Sequence, residues 1–348
     1  MKKCIFLLLL LALLTGCSLP WSDVQKQDHT VYAMDTVMTL TAYGDNAETA
    51  LSAAEAEIYR LDALLSISNS NSDIYHLNQA KSAEVDPETG ALLQRALELA
   101  TLTDGDFDPT VFPLTVLWGF YSQDGTYDYH IPTDQERETV LQHVGYEKLL
   151  VEADAAEDST GTVAATLTDS EAGVDLGGIA KGYTAQRVLS VLETAGVDSA
   201  VISLGGNVGT LGRKPDGSLW TVAVEDPAQS GEYLATLSLD GGYYAITSGA
   251  YQRYFEENGV RYHHILDPET GAPADTDLQS VTIVSKDGTQ ADALSTALFV
   301  KGFDEAVAFW RAHADAFEMV LVTDTELYAT SGLTISSQRT VHTLEVEP

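Results

Sequence analysis

The sequence predicts an α+β fold in one domain. Strand-like and helix-like segments are mixed without the regular βαβ alternation that a doubly wound parallel sheet requires. From residue 199 onward short segments rich in Val, Thr, Tyr and Ile dominate, and helical periodicity returns only near 290. The chain has 348 residues and no internal repeat, enough for one large core.

Residues 30–43 (TVYAMDTVMTLTAY) read as a strand from their β-branched and aromatic content. Leu51, Ala54, Ile58, Leu61 and Leu65 recur at spacings of three and four, the stripe of an amphipathic helix. The Ser/Asn-rich stretch 66–73 reads as a loop. Asp86-Pro87 stands as N-cap and first residue of a helix reaching about Leu102. Residues 103–113 (TDGDFDPTVFP) are an acidic Gly/Pro loop. Stretches 121–132 and 152–172 read as surface loops or short edge strands. A helix starts near Ala180 and ends at Gly196, a left-handed cap. Strands follow at 199–204, 219–225, 233–239, 243–247 and 279–284. Helices at 290–300 and 304–314 come next, the latter capped by Asp304, and strands near 317–323 and 326–330 close the series.

The formal charge is −34, which sets the chain against nucleic acid and against anionic lipid bound through a basic patch. The first residues, MKKCIFLLLLLALLTGCS, place Lys2 and Lys3 before an apolar run too short to span a bilayer. Leu14-Thr15-Gly16-Cys17 resembles a bacterial lipobox. This predicts a signal peptide over 1–16, a lipidated Cys17 opening a polar tether over 17–29, and a folded domain from residue 30. Cys4 leaves with the signal and Cys17 takes the lipid, so the fold has no disulfide and no thiolate metal site.

VISLGGNVGTLG (201–212) is Gly-rich after a strand, but a turn and another strand follow it rather than a helix, so it is not a dinucleotide fingerprint. In VDLGGIAKGYTAQRV (174–188), Gly177-Gly178 lead into a helix with Lys181 in its first turn. Free amides and a cation there suit an anion, and a tight turn with an exposed lysine explains them equally well. His263 and His264 are neighbours on a strand, so they point to opposite faces and at most one serves a given site. In TQADALSTALF (289–299), Asp292 and Thr296 lie one turn apart on one face. They read either as a capping box, with Thr289 as N-cap and Asp292 as its partner, or as two oxygens of a metal site.

The stretches MDTVMTL, DGDFDPTV, VDLGGIAKGY, SLGGNVGTLG, AITSGAYQRYF, HHILDPETGAP and ADALSTALF occur in the order found in the ApbE family of FAD:protein FMN transferases, which the chain resembles over roughly residues 30–330. The resemblance implies a T-fold-like α+β domain over 30–348. It implies FAD as substrate with Mg²⁺ at its pyrophosphate, and transfer of FMN to a Thr or Ser hydroxyl of an acceptor flavoprotein with release of AMP. It assigns Asp292 and Thr296 as metal ligands, with the carbonyls of Gly178 and Ser295, and His264 as the family's histidine. Met34, Asp106, Phe107, Asp108, Asp175, Lys181, His264 and Ile265 match positions that line FAD. His264 is then the acceptor of the hydroxyl proton, with an acid near Asp267 or Asp108 as the alternative. Two positions depart from the family: Asp35 stands where it often has Gly, and Ser68 where it often has an aromatic that Tyr75 would replace. Two other functions stay open: Mg²⁺-dependent hydrolysis of FAD to FMN and AMP, and a flavin-binding lipoprotein without turnover. The lipobox places the protein on the extracytoplasmic face of a bacterial cell membrane, lipid-anchored.

Overall fold

The computed structural model describes residues 24–152, 161–229 and 231–346. The expected signal peptide, Cys17 and the start of the tether lie outside them. Among the described residues no helix is long and apolar enough to cross a membrane.

A nine-stranded sheet organises the chain. Its order is Lys26–Ala33, Thr36–Tyr43, Ser199–Leu204, Asn207–Leu211, Tyr244–Gly249, Leu278–Ser285, Glu318–Thr323, Leu327–Thr330 and Val341–Leu344. Every neighbouring pair is antiparallel except the last. The period-two alternation of these strands separates two cores. Met38, Leu40, Ile202, Ile246, Ile283, Met319 and Leu321 face helices Ala47–Leu65, Ala180–Thr194, Gly288–Lys301 and Phe303–Ala312. Ala245, Val284, Val320 and Val322 face the other way, onto a three-stranded sheet built from Trp220–Glu225, Tyr233–Leu239 and Ile335–Ser337. A further core lies under helices Asp73–Ala80 and Pro87–Leu102 and a second small sheet (Ser82–Val85, Val163–Leu167, Leu149–Val151). It reaches Ala293 and Ala297 on the back of Gly288–Lys301, so this helix is packed on two sides.

The α+β reading holds, and several elements differ from expectation for identifiable reasons. The strand expected over 30–43 is a hairpin. It begins at Lys26, inside the stretch read as tether, and turns at Met34-Asp35, where φ is 49° and 57°. Two consecutive positive φ values make the two-residue turn that matches strand twist, usually marked by Asn or Gly. Neither is present, so the sequence hides it. Within stretch 66–73, the Ser72 hydroxyl accepts the Tyr75 amide and caps the unforeseen helix Asp73–Ala80. Asp86 caps Pro87–Leu102 as expected, accepting from the Glu88 amide. The last two helices begin one or two residues early: Asp287 caps Gly288–Lys301 by accepting the Gln290 amide, and Gly302, not Asp304, precedes Phe303–Ala312. Stretch 121–132 holds no strand. The hairpin Tyr254–Glu257 with Val260–His263 was not foreseen either.

Candidate active site

A cavity of ≈ 900 Å³ opens where these layers meet. Its walls are the turn at Met34-Asp35, the acidic loop at 106–108, the 175–181 turn, the segment 264–266 and the face of helix Gly288–Lys301. Met34, Asp106, Phe107, Asp108, Asp175, Gly178, Lys181, His264, Ile265, Asp292 and Thr296 all line it. Sequence-distant residues are thus gathered in one space, within the size range of pockets that enclose a large cofactor.

Asp292 is not part of a capping box. Thr289 lies inside its helix and gives its hydroxyl to Gln186. Asp292 is buried, and its Oδ2 accepts the backbone N–H of Gly182 at 2.7 Å. Gly182 is in the first turn of Ala180–Thr194, so the carboxylate caps the positive end of a neighbouring helix. Only glycine permits the approach, since a Cβ at 182 would stand 2.2 Å from the Gly288 carbonyl oxygen. Beside Asp292, Ser248 Oγ lies 2.8 Å from Ser295 Oγ and 3.2 Å from Thr296 Oγ1. Ser295 is wholly buried, and its hydroxyl donates to the Asp292 carbonyl at 2.8 Å. The main chain at Gly178 passes so near that a Cβ there would be 3.5 Å from Thr296 Oγ1. The result is a corner of hard oxygens: one carboxylate, three hydroxyls and adjacent carbonyls. Such a set suits Mg²⁺ only with further oxygens from a phosphate-bearing ligand and water.

The amide cradle expected at Gly177 is not available. Gly177 donates to Asp175 Oδ1 at 2.8 Å, and the amides of Ile179 and Ala180 donate to the Leu176 carbonyl. The cation of this corner is the Lys181 side chain, resting against the Gly177 carbonyl at 3.1 Å. Asp106 is paired with Lys301, although burial still raises its carboxyl above the usual range. Gly205 and Gly206, with φ of 60° and 97°, form a hairpin turn between two strands, which confirms that no dinucleotide fingerprint is present. This turn abuts the one at Met34-Asp35: a Cβ on Gly205 would meet Thr36 at 2.4 Å.

The two histidines separate, but not by strand alternation: the strand Val260–His263 ends at the first, and His264 lies just beyond it. His263 is buried against Phe299, its Nε2 3.2 Å from the Ala274 carbonyl, a structural role. His264 lines the cavity, with Nδ1 3.1 Å from the Arg253 carbonyl. A carbonyl only accepts, so Nδ1 carries the proton and Nε2 keeps its lone pair. Burial pushes this imidazole down to about 3, so it is neutral near pH 7.

The alternative acids are occupied. Asp108 accepts from the Thr110 amide and hydroxyl and from the Tyr146 amide, at 2.6–2.8 Å, and so braces the loop. Asp267 accepts from the Glu269 amide and the Thr270 hydroxyl, both at 2.8 Å, closing its own turn. Ser68 and Tyr121 both line the cavity, and Tyr75 is not among its walls. Asp35 is exposed at the mouth, where Tyr127 gives it a hydroxyl hydrogen bond at 3.4 Å. Sequence reasoning gave no role to Tyr121, Ser248 or Arg253; the last two lie in AITSGAYQRYF, a stretch whose order it used but whose chemistry it left unread.

A family model described as the ApbE family matches residues 34–321. The chain belongs to the ApbE family. It is 32% identical over 325 residues to the FAD:protein FMN transferase of Treponema pallidum, covering 89% of this chain and 88% of that one. To the FAD:protein FMN transferase of Vibrio cholerae it is 30% identical, covering 93% and 95%. Its fold superposes on the crystal structure of the ApbE protein of Thermotoga maritima with a TM-score of 0.77 and 32% identity, over 90% of this chain and 97% of that one. The match over 34–321 includes both helices of the Asp292 corner and the His264 segment.

Proposed function

We propose that this ApbE-family protein transfers the FMN part of FAD to a Thr or Ser hydroxyl of a partner protein and releases AMP. The observation that carries the reading is one cavity holding both an oxygen corner fit for a metal–pyrophosphate and a neutral histidine with Nε2 free to accept a proton. Relatives covering most of the chain are named for this activity.

Asp292 and Thr296, with carbonyls of Gly178 and Ser295, are the residues to hold Mg²⁺, which when bound would offset charge on the phosphoryl oxygens. Lys181 adds a positive charge beside the phosphates. Asp175 and the 106–108 loop shape the wall, with Phe107 packed against Gly178. The acceptor oxygen attacks the FMN phosphorus. The bond from that phosphorus to the bridging oxygen breaks and AMP leaves with it, while the hydroxyl proton passes to His264 Nε2. At the other end of the chain, residues 1–16 act as signal peptide and Cys17 as lipid anchor, holding residues 30–348 at the extracytoplasmic face of the membrane through the tether.

The test is to incubate the protein with FAD, Mg²⁺ and a flavoprotein subunit bearing a Thr/Ser acceptor motif, and to measure AMP and protein-bound flavin fluorescence. Equal yields of AMP and bound FMN are expected. AMP without bound flavin would mean hydrolysis, and neither product would mean a binding protein.

A further inference from the structure

We propose that Arg253 is a positioning residue for His264. The inference rests on the reading of His264 as proton acceptor. The Arg253 carbonyl oxygen takes two hydrogen bonds from the same residue: the His264 backbone N–H at 3.1 Å and His264 Nδ1–H at 3.1 Å. Both lone pairs of one oxygen are therefore committed to His264, and that oxygen sets which ring nitrogen is protonated.

What holds the oxygen is the question, because residue 253 lies just outside the hairpin ladder, whose first pair is Tyr254 with His263. The guanidinium supplies the second tether. Its Nη2 donates to the Phe120 carbonyl, and its Cζ lies 4.4 Å from the Tyr127 ring centre and 5.8 Å from that of Phe120. Phe120 in turn meets the His264 ring edge-on at 6.5 Å. The side chain of Arg253 thus fastens the 120–127 segment to the peptide that orients the imidazole. A planar fork lying on aromatic faces is suited to this task, and a lysine ammonium is not. The positive charges of Arg253 and Lys181 both favour its neutral form.

The experiment compares wild type with Arg253→Met and Arg253→Lys. It measures kcat and KM for FAD in the transfer assay and the ¹⁵N shifts of the His264 ring, assigned by the signals lost in His264→Gln. Wild type should show the Nδ1–H tautomer. In Arg253→Met, kcat should fall roughly tenfold or more, KM should stay within about twofold, and the ring signals should move toward a tautomer mixture. Arg253→Lys should lie nearer to the Met variant than to wild type. An unchanged tautomer with unchanged kcat would overturn the proposal. So would a rise in KM alone, which would make the guanidinium a substrate contact. If Arg253→Met does not fold, the Lys variant decides by the same readouts. Should His264→Gln transfer at the wild-type rate, the role of His264 falls, while the ring shifts of the Arg253 variants still report whether Arg253 orients it.

Discussion

Asp292 caps a helix that is not its own: its carboxylate receives the Gly182 amide at 2.7 Å while lying beside Thr296 on the cavity face. Its capping of this neighbouring helix and the metal role proposed for it can be separated. Asn keeps an acceptor for Gly182, so Asp292→Asn should cost about 1 kcal/mol of stability, as cap changes do. It removes the only carboxylate of the oxygen corner, so the Mg²⁺ concentration for half-maximal transfer should rise by at least an order of magnitude, roughly. Thr296→Val should move it in the same direction. Because both serve one ion, the double variant should lose less than the two single effects combined. Unmoved midpoints in both single variants would take the metal out of this corner.

His264→Asn should lower transfer by ~10²-fold or more with FAD binding retained. His263→Asn should act on thermal stability instead, because that ring is packed on Phe299 and bonded to the Ala274 carbonyl. Melting curves and rates of both variants check this. Equal rate losses would make the pair structural.

The depressed His264 also has a pH signature. Its folded value, about 3, lies below the unfolded 6.5, so the unfolded chain binds the extra proton first. Its contribution to stability is complete above pH 6.5 and is lost as pH falls from there toward 3. Denaturant unfolding of His264→Asn should therefore show a shallower loss over that window than wild type. The kcat/KM profile for wild type should lack a histidine step near 6.5. A clear step there would mean the imidazole titrates normally in the free enzyme.

Cys17 has its role only through the lipobox. Cys17→Ser should block lipid attachment, so that the protein is either released from membranes or retained with its signal uncleaved. Fractionation and mass measurement of the N-terminus check it. Wild-type processing of the variant would remove the anchor from the account.

How much of this was legible follows from which signals are local. The helix stripe Leu51 to Leu65 and the Asp86-Pro87 start are set by residues within a few positions of one another, and both stand as read. The oxygen corner was legible as Asp292 and Thr296, because one helical turn fixes their relation. The partners were not. Ser248 arrives from a strand 48 residues away from Thr296, and the amide that Asp292 caps lies 110 residues away. The turn at Met34-Asp35 was hidden because Met, unlike Asp, rarely adopts positive φ, and the cradle at Gly177 was overread because Asp175, two residues before it, takes the amide. In each case a contact across the fold, or a side chain competing for a backbone group, decided what the local pattern left open.

The turn at Met34-Asp35 yields the last prediction. Asp35 has φ of 57° and stands exposed at the mouth of the cavity. Glycine adopts this conformation without steric penalty, so Asp35→Gly should leave the hairpin at least as stable, within about 1 kcal/mol. It also removes a negative charge from the path of a dinucleotide that carries two of its own into a strongly acidic protein. The KM for FAD should therefore fall by a few-fold, roughly, at low ionic strength. The difference from wild type should shrink as salt rises, because an exposed charge at a cavity mouth is screened over about 10 Å at 0.1 M. Loss of the Tyr127 hydrogen bond works in the opposite sense, by loosening the 120–127 segment that Arg253 also holds. Tyr127→Phe isolates that term: it deletes the same hydrogen bond and keeps the Asp35 charge. If Asp35→Gly lowers KM and Tyr127→Phe does not, the charge at the mouth governs FAD binding. If both variants raise KM, the Asp35–Tyr127 contact matters more than the repulsion, and the aspartate fastens the cavity mouth.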